Sequence, residues 1–178
     1  MTVSDEDLAT AAANGDRQAF ASLLERHYDR LFALTFRLTG GRAEAQDLTQ
    51  DICAALPAKL ASYRGQSKVT TWLYRVAVNA AHDRRRRMAT YVKASDGWGD
   101  WEIARQDEIS TGREHLDWLT AAMAKLSHDL RDTLALVLDD LTHAEVASIL
   151  GVSEGTISWR MSEAKKRLRA IREQEEAI

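Results

Sequence analysis

Residues 141–160 read LTHAEVASILGVSEGTISWR, and this stretch decides the fold of the C-terminal part of the chain. Thr142 and Glu145 have the spacing of a capping box, which begins a helix. Gly151 follows the last apolar residue of that helix and tolerates the positive φ that a tight turn needs. With small and apolar residues that would hold a second helix against the first, the pattern predicts a helix-turn-helix. Those packing residues are Ala147, Val152 and Ile157.

The second helix of this motif carries polar and basic side chains where it would face solvent. Backbone amides at a helix start and trailing cations suit contacts to phosphate, and exposed side chains early in the helix suit contacts to base edges. The pattern therefore favours binding to duplex DNA, although an ordinary helical hairpin is the alternative. The candidate DNA-binding residues are Thr156, Ser158, Trp159, Arg160, Ser162, Glu163, Lys165, Lys166 and Arg167.

The positive charge of the chain is concentrated in two blocks, although the net charge is −3. Residues 57–95 hold 9 basic and 1 acidic residue, which gives +8, and residues 153–172 hold 6 and 2, which gives +4. Between them, residues 96–152 hold 4 basic and 12 acidic residues, which gives −8. Separate basic blocks are typical of a nucleic-acid binder, because the local field at the phosphates matters more than the total charge. Two solvated basic faces remain the alternative.

The rest of the chain has helical periodicity and no strand-like alternation of useful length. It predicts an all-α fold of two small helical domains joined by a flexible linker. We place the domains at residues 1–90 and 113–178, and the linker at residues 91–112, where glycine, serine and scattered acids break the period. Trp98 and Trp101 are unusual in a linker, and we expect them to pack against one of the flanking domains.

Short signals mark where individual helices begin and end. The segment from Ser4 to Asp7 resembles a capping box, and Ser127 has the side chain of an N-cap. Gly40 predicts the end of a long helix. Pro57 interrupts an apolar pattern that continues beyond it, so we expect a kink or a break in the third helix.

Residues 70–79 combine aromatic side chains with a cation and an amide on one predicted helix. Single-stranded bases stack on aromatic rings, cations follow the backbone, and amides read exposed base edges. Trp72 shares an apolar stripe with Val76, which is more typical of a core residue. The four arginines 84–87 are too densely charged to be buried, so they either contact phosphate or form a solvated face.

The composition disfavours several protein classes. Cys53 is the single cysteine, which excludes an internal disulfide and a cysteine-based zinc site and suits a reducing cytoplasm. There is no run of about 18 apolar residues to span a membrane, and the acidic N-terminus lacks a signal-peptide pattern. The histidines have no metal-ligand spacing, and neither a phosphate-binding glycine loop nor a catalytic triad stands out. We therefore expect a cytoplasmic protein that is not an enzyme and has no catalytic residues, metal or cofactor.

Three motifs in sequence order resemble the extracytoplasmic-function (ECF) group of bacterial sigma factors, and the resemblance covers nearly the whole chain. It implies a factor that binds core RNA polymerase, directs it to promoter DNA as duplex and as melted strand, and is held inactive by an anti-sigma factor. The core-binding motif corresponds to residues 45–52, the promoter-melting segment to residues 63–67 and 71–79, and the second domain to residues 126–131, 141–147 and 151–157.

The resemblance also implies a role for each surface. A polar face of the third helix would dock on the polymerase, and Asn79 would help to capture a flipped base of the upstream-of-start element. The helix after Gly151 would enter the major groove farther upstream. The implied polymerase-binding residues are Glu44, Asp47, Gln50 and Asp51. The implied promoter-melting residues are Arg64, Trp72, Tyr74, Arg75, Asn79, Arg84, Arg85, Arg86 and Arg87.

The recognition helix departs from the family pattern, which usually has basic residues where this chain has Ser158 and Glu163. Trp159 is also an unexpectedly bulky neighbour of Arg160. A glutamate accepts a hydrogen bond from the cytosine amine, and an apolar side chain contacts the thymine methyl group. We therefore expect DNA recognition to be retained with an altered base preference.

Two other functions fit parts of the sequence. A dimeric helix-turn-helix regulator of duplex DNA would use the same C-terminal motif but would leave the motifs of the first domain unexplained. A sigma-like decoy that sequesters an anti-sigma protein would not need basic surfaces, whereas this chain retains Arg75 and the four arginines 84–87.

Overall fold

The fold is known from a computed structural model that describes residues 2–94 and 114–178, with side chains described for residues 2–94 and 118–178. The regular secondary structure of this described part consists of helices joined by loops, as the sequence predicts. Trp98 and Trp101, and the packing expected for them, lie outside it. The helices are α1 (Asp5–Ala13), α2 (Arg17–Thr39), α3 (Arg42–Leu60), α4 (Val69–Ala94), α5 (Glu114–Ala124), α6 (His128–Val137), α7 (His143–Leu150) and α8 (Glu154–Glu176).

The N-terminal domain is built around α2, which packs against α1, α3 and α4. The apolar stripe of α2 supplies Leu31, Leu34 and Leu38, all of which are almost completely buried. One polar contact lies within this core, because the hydroxyl groups of Thr35 and Thr49 are 2.7 Å apart and satisfy each other. This arrangement leaves the outer faces of α3 and α4 available to solvent or to a partner.

Most predicted helix ends are confirmed. The Ser4 hydroxyl accepts a hydrogen bond from the backbone amide of Asp7, as an N-cap does. Gly40 ends α2 in the left-handed conformation with φ 79°, which a residue with a Cβ adopts only at a cost. Ser127 occupies the N-cap position of α6, but its side chain makes no capping hydrogen bond.

Two helices run farther than the sequence suggests. Helix α3 continues through Pro57 to Leu60 without a break, because Leu56 and Leu60 on either side of the proline are both buried and hold the last turn in place. Helix α4 continues to Ala94, beyond the arginines and beyond the expected domain end at residue 90. Arginine, methionine and alanine are good helix formers, so this end does not need a buried face to remain helical.

The C-terminal domain packs α6 against α7 and α8 and rests on the first domain. Across the two domains, α6 meets α2 and α7 meets α4. At one edge the end of α2 approaches the end of α5, where a Cβ placed on Gly40 would lie 3.6 Å from the Cβ of Ala124. The surface of α4 that faces α7 is therefore covered by the other domain.

Candidate nucleic-acid interface

The outer face of α3 carries the four predicted polymerase-binding residues together. Glu44, Asp47 and Asp51 recur at spacings of three and four, which places them in a row on one side of the helix. The side chains of Asp47 and Asp51 are 68% and 78% exposed, and Gln50 is also exposed. Arg84 of α4 lies 3.9 and 4.0 Å from these two carboxylates. The acidic face of α3 therefore adjoins the basic side of α4.

The start of α4 forms an aromatic corner. The rings of Tyr63 and Trp72 pack with centroids 5.5 Å apart and an angle of 59° between their planes. The Tyr63 hydroxyl donates to the carbonyl of Ser67 at 2.7 Å, which fixes the loop before the helix. Trp72 is half-buried against the core, and Asn79, two turns farther along α4, is exposed. The amide needed to read an unpaired base is thus accessible.

The four consecutive arginines of α4 point in different directions. Arg84 faces α3, whereas Arg85 faces α6 and donates two hydrogen bonds to Asp132. Arg86 pairs with Asp83 on its own helix, and this hydrogen bond lowers the pKa of the Asp83 carboxyl. Arg87 is exposed. The run is therefore not one solvated face, because Arg85 belongs to the contact between the domains.

Tyr74 and Arg75 also lie in that contact. Tyr74 is 2% exposed, and its hydroxyl donates to Asp139 of the second domain. Burial, reinforced by this hydrogen bond, raises the pKa of Tyr74. Arg75 donates to the carbonyl and to the hydroxyl of Ser148 at 3.3 and 3.1 Å. In this arrangement Tyr74 is covered by the second domain, whereas Arg75 is partly exposed and uses one nitrogen of its guanidinium in the contact.

The helix-turn-helix has the geometry that the sequence predicts. Gly151 turns the chain between α7 and α8 with φ 68° in the left-handed region. The capping box of α7 is complete, because the Thr142 hydroxyl accepts from the amide of Glu145 and the Glu145 carboxylate accepts from the amide of Thr142. Ser153 caps α8, and Ile157 is fully buried beneath it.

The exposed side of α8 presents most of the predicted DNA-binding residues, but several are already engaged. Trp159 is 64% exposed. Arg160 pairs with Asp129 of α6 at 3.4 Å, and Ser158 lies 3.2 Å from His143 of α7. The half-buried residues Thr156 and Glu163 bond to Ser153 and Arg167, respectively. The exposed residues Ser162, Lys165, Lys166 and Arg167 complete this side.

Comparisons with known proteins agree with this arrangement. The family model for Sigma-70 region 2 matches residues 23–90, and that for Sigma-70, region 4 matches residues 116–168. The ECF RNA polymerase sigma factor SigM of Mycobacterium tuberculosis H37Rv is 32% identical over 169 residues, which cover 93% of this chain and 83% of SigM. The chain belongs to the ECF sigma factors. It is therefore a transcription initiation factor with regions 2 and 4 in its two helical domains.

Two further relatives extend the comparison. The sigma factor SigW of Bacillus subtilis is 26% identical over 172 residues, covering 87% of this chain and 89% of SigW. The sigma factor RpoE of Bartonella quintana, solved in complex with the anti-sigma factor NepR, superposes with a TM-score of 0.73 at 26% identity. That superposition covers 86% of this chain and 96% of RpoE. The similarity to the ECF sigma factors thus extends over both regions.

Sequence reasoning missed the residues that join the two regions of this sigma factor. Asp132 and Asp139 of the second domain meet cations and a tyrosine of the first. The opposite charges of residues 57–95 and 96–152 were a signal for such a contact, but they do not say which carboxylates pair. The partners in the first domain are Arg30, Arg37, Tyr74, His82 and Arg85.

Neither a metal site nor a membrane span is found in the described part of the sigma factor. Among the described side chains, those of residues 2–94 and 118–178, no group of histidine, cysteine and acidic residues is able to hold a metal ion. Within the same ranges, every helix is too short or too polar to cross a bilayer.

Proposed function

We propose that this sigma factor uses three surfaces in promoter recognition: the acidic face of α3 for core RNA polymerase, α4 for the melted strand, and α8 for upstream duplex DNA. The observation that carries the proposal is the adjacency of the first two surfaces. Arg84 joins them, since it lies within 4.0 Å of both Asp47 and Asp51. A polymerase docked on α3 would hold DNA next to the basic side of α4.

The acidic face of α3 suits a basic partner surface. Glu44, Asp47 and Asp51 leave little room for hydrophobic contact, so electrostatic complementarity would set the orientation of docking and its salt dependence. We expect the partner to be the largest subunit of the polymerase, as the family resemblance implies.

The start of α4 suits a single strand. Asn79 has the donor and the acceptor needed to read the exposed edge of a flipped base. The ring of Trp72 packs against Tyr63 and is half-buried. We therefore assign Trp72 a structural role in supporting the start of α4. Arg64 and Arg87 are exposed on the same domain and are placed to contact phosphate.

Helix α8 suits the major groove. Its N-terminal turn, capped by Ser153, offers backbone amides to phosphate, and Lys165, Lys166 and Arg167 follow as exposed cations. Trp159 projects from the early part of the helix, where base edges are read. The promoter sequence that this sigma factor prefers would therefore include a base that makes an apolar contact with Trp159.

Regulation by an anti-sigma factor follows from the family. The similar RpoE was solved with the anti-sigma factor NepR, and we propose that this sigma factor also has such an inhibitor and acts in the cytoplasm. Affinity purification from unstressed cells should recover the inhibitor, and repeated failure to do so would count against it.

The experiment that tests the proposal measures binding of the labelled chain to core RNA polymerase, followed by transcription from a pool of genomic promoter fragments. The double variant Asp47→Asn/Asp51→Asn should weaken polymerase binding at least about fivefold. The matched control, Glu25→Gln/Asp29→Asn on the exposed side of α2, removes the same charge and should bind normally.

Each alternative function has its own outcome in this experiment. Tight binding with selective transcripts supports the proposal. Polymerase binding without transcripts from any fragment would favour the decoy. Failure to bind polymerase, combined with dimeric binding to duplex DNA, would favour the regulator.

A further inference from the structure

The turn at Gly151 brings a histidine of α7 to the exposed side of the recognition helix, α8. Nδ1 of His143 lies 3.2 Å from Oγ of Ser158, although the two residues are 15 positions apart in the sequence. Ser158 is exposed and directly follows the fully buried Ile157, which holds α8 against the domain. Exposed side chains in the early turns of a recognition helix contact base edges. The contact therefore lies where the promoter sequence would be read.

The start of α7 holds His143 in a fixed place. His143 is the first residue of this helix and directly follows the N-cap Thr142, whose capping box with Glu145 is complete. Two reciprocal hydrogen bonds therefore anchor the first turn. Helix α7 also packs against α8, and Ala147 in its middle is buried. The half-buried ring of His143 thus reaches Ser158 from an ordered helix and not from a loop.

A serine hydroxyl without such a partner reads DNA sequence poorly. It has one hydrogen to donate and two lone pairs to accept with, and its hydrogen rotates freely. It therefore contacts the amine of adenine or cytosine as an acceptor, and the keto oxygen of guanine or thymine as a donor. A hydroxyl that is free to do both discriminates little between these two classes of base.

The imidazole of His143 removes this freedom. In a neutral imidazole Nδ1 either accepts or donates a hydrogen bond, but it does not do both. When Nδ1 accepts the hydroxyl hydrogen, Oγ of Ser158 is left with lone pairs and suits a base amine. When Nδ1 donates to Oγ, the hydroxyl hydrogen is left for a keto oxygen. In either tautomer, Ser158 offers DNA only one kind of hydrogen bond.

We infer that His143 is a positioning residue for promoter recognition, which acts through Ser158 and gives this hydroxyl a preference for one class of base at one position of the upstream element. The two classes are the amino bases, adenine and cytosine, and the keto bases, guanine and thymine. The inference rests on the proposed role of α8 in the major groove. The two side chains act as a unit, so loss of either one removes the same preference.

The first test removes each partner in turn. The full chain is bound to core RNA polymerase and mixed with duplexes of a promoter found in the transcription experiment, in which every position of the upstream element is varied. Sequencing of the bound duplexes gives the base preference at each position. His143→Leu removes the ring nitrogens, and Ser158→Ala removes the hydroxyl. The control His128→Leu makes the same substitution at the first residue of α6, an exposed histidine of the same domain.

At one position, the wild type and the control should prefer one class of base over the other at least about fivefold. His143→Leu and Ser158→Ala should each reduce this preference to less than about twofold, and the double variant should reduce it no further. A preference that survives in either single variant would overturn the inference, as would losses at two different positions. A wild type without any base preference in the upstream element would overturn the proposed role of α8 as well.

The second test imposes the direction of the hydrogen bond. An ionised aspartate only accepts hydrogen bonds, so His143→Asp should take the Ser158 hydrogen and leave lone pairs for DNA. Whichever class the wild type prefers, this variant should prefer the amino bases at the same position at least about threefold, and added Ser158→Ala should abolish that preference. Preferences are compared within one pool of duplexes, because the new negative charge weakens binding to all of them. Loss of preference in His143→Leu without an amino preference in His143→Asp would make His143 a structural residue and overturn the inference.

Discussion

Arg160 of the recognition helix pairs with Asp129 of α6 at 3.4 Å, so a cation expected to contact DNA is held against its own domain. The Arg160 side chain is only 15% exposed, whereas that of Asp129 is 75% exposed. Most of the Arg160 side chain is thus covered by protein, and its counter-ion stands at the surface. A DNA phosphate and Asp129 would compete for the same donors.

Replacing Asp129 by asparagine should release Arg160 for DNA. Because the Asp129 carboxylate is 75% exposed and therefore screened by solvent, we expect affinity for the upstream duplex to rise only about two- to fivefold. The slope of log affinity against log salt should steepen by about one, as one more phosphate contact forms. Titrations at several salt concentrations measure both quantities. Asp140→Asn is the charge-matched control, and an equal gain in that variant would assign the effect to net charge.

Trp159 should read a thymine methyl group. It is exposed on the early part of α8, where apolar side chains contact thymine. Replacing thymine by uracil at one position of the upstream element should weaken wild-type binding by about 1 kcal/mol. Trp159→Ala should bind both duplexes equally and keep its unfolding temperature, since surface substitutions change stability little. A thymine preference that survives in Trp159→Ala would mean that another residue reads the base.

Asn79→Ala should impair promoter opening and leave polymerase binding intact. The side chain is exposed on α4, so its loss removes a base contact without opening a cavity. We expect the rate of open-complex formation to fall about tenfold, as loss of about 1.4 kcal/mol of transition-state stabilisation implies. Permanganate footprinting of unpaired thymines measures opening, and a binding titration measures polymerase affinity. Equal loss of both activities would make Asn79 a structural residue.

The helix-turn-helix was predictable because its signals are local. These signals are the capping box at Thr142 and Glu145, the left-handed Gly151 and the packing residue Ile157. Each depends on neighbours within a few residues, and all three are found. The end of α2 at Gly40 was predictable for the same reason. Pro57 shows where a local rule is overridden, because the buried side chains around it keep α3 helical.

The contact between the domains could not be predicted, because it joins residues far apart in sequence. Asp139 lies 65 residues from Tyr74 and 109 from Arg30. Helical periodicity predicts that Tyr74 lies on a helix, but it does not predict that the second domain covers this residue. A run of arginines also gives no sign that Arg85 alone turns towards α6. The charge blocks were interpreted as a mark of nucleic-acid binding, and which residues pair between the domains depends on three-dimensional packing.

The capping box of α7 should give the stability of the C-terminal domain a measurable pH dependence. The backbone amide of Thr142 donates to Glu145 and lowers its pKa from 4.5, although burial opposes the shift. A group with a lowered pKa stabilises the fold above its unfolded value, and this contribution is lost as pH falls through the folded value. Glu145→Gln retains an acceptor but does not titrate. It should therefore be less stable than the wild type by up to about 1 kcal/mol at pH 7 and equally stable near pH 3. Thermal unfolding across this range, with Glu173→Gln as control, measures the difference, and a gap that stays constant with pH would contradict the assignment.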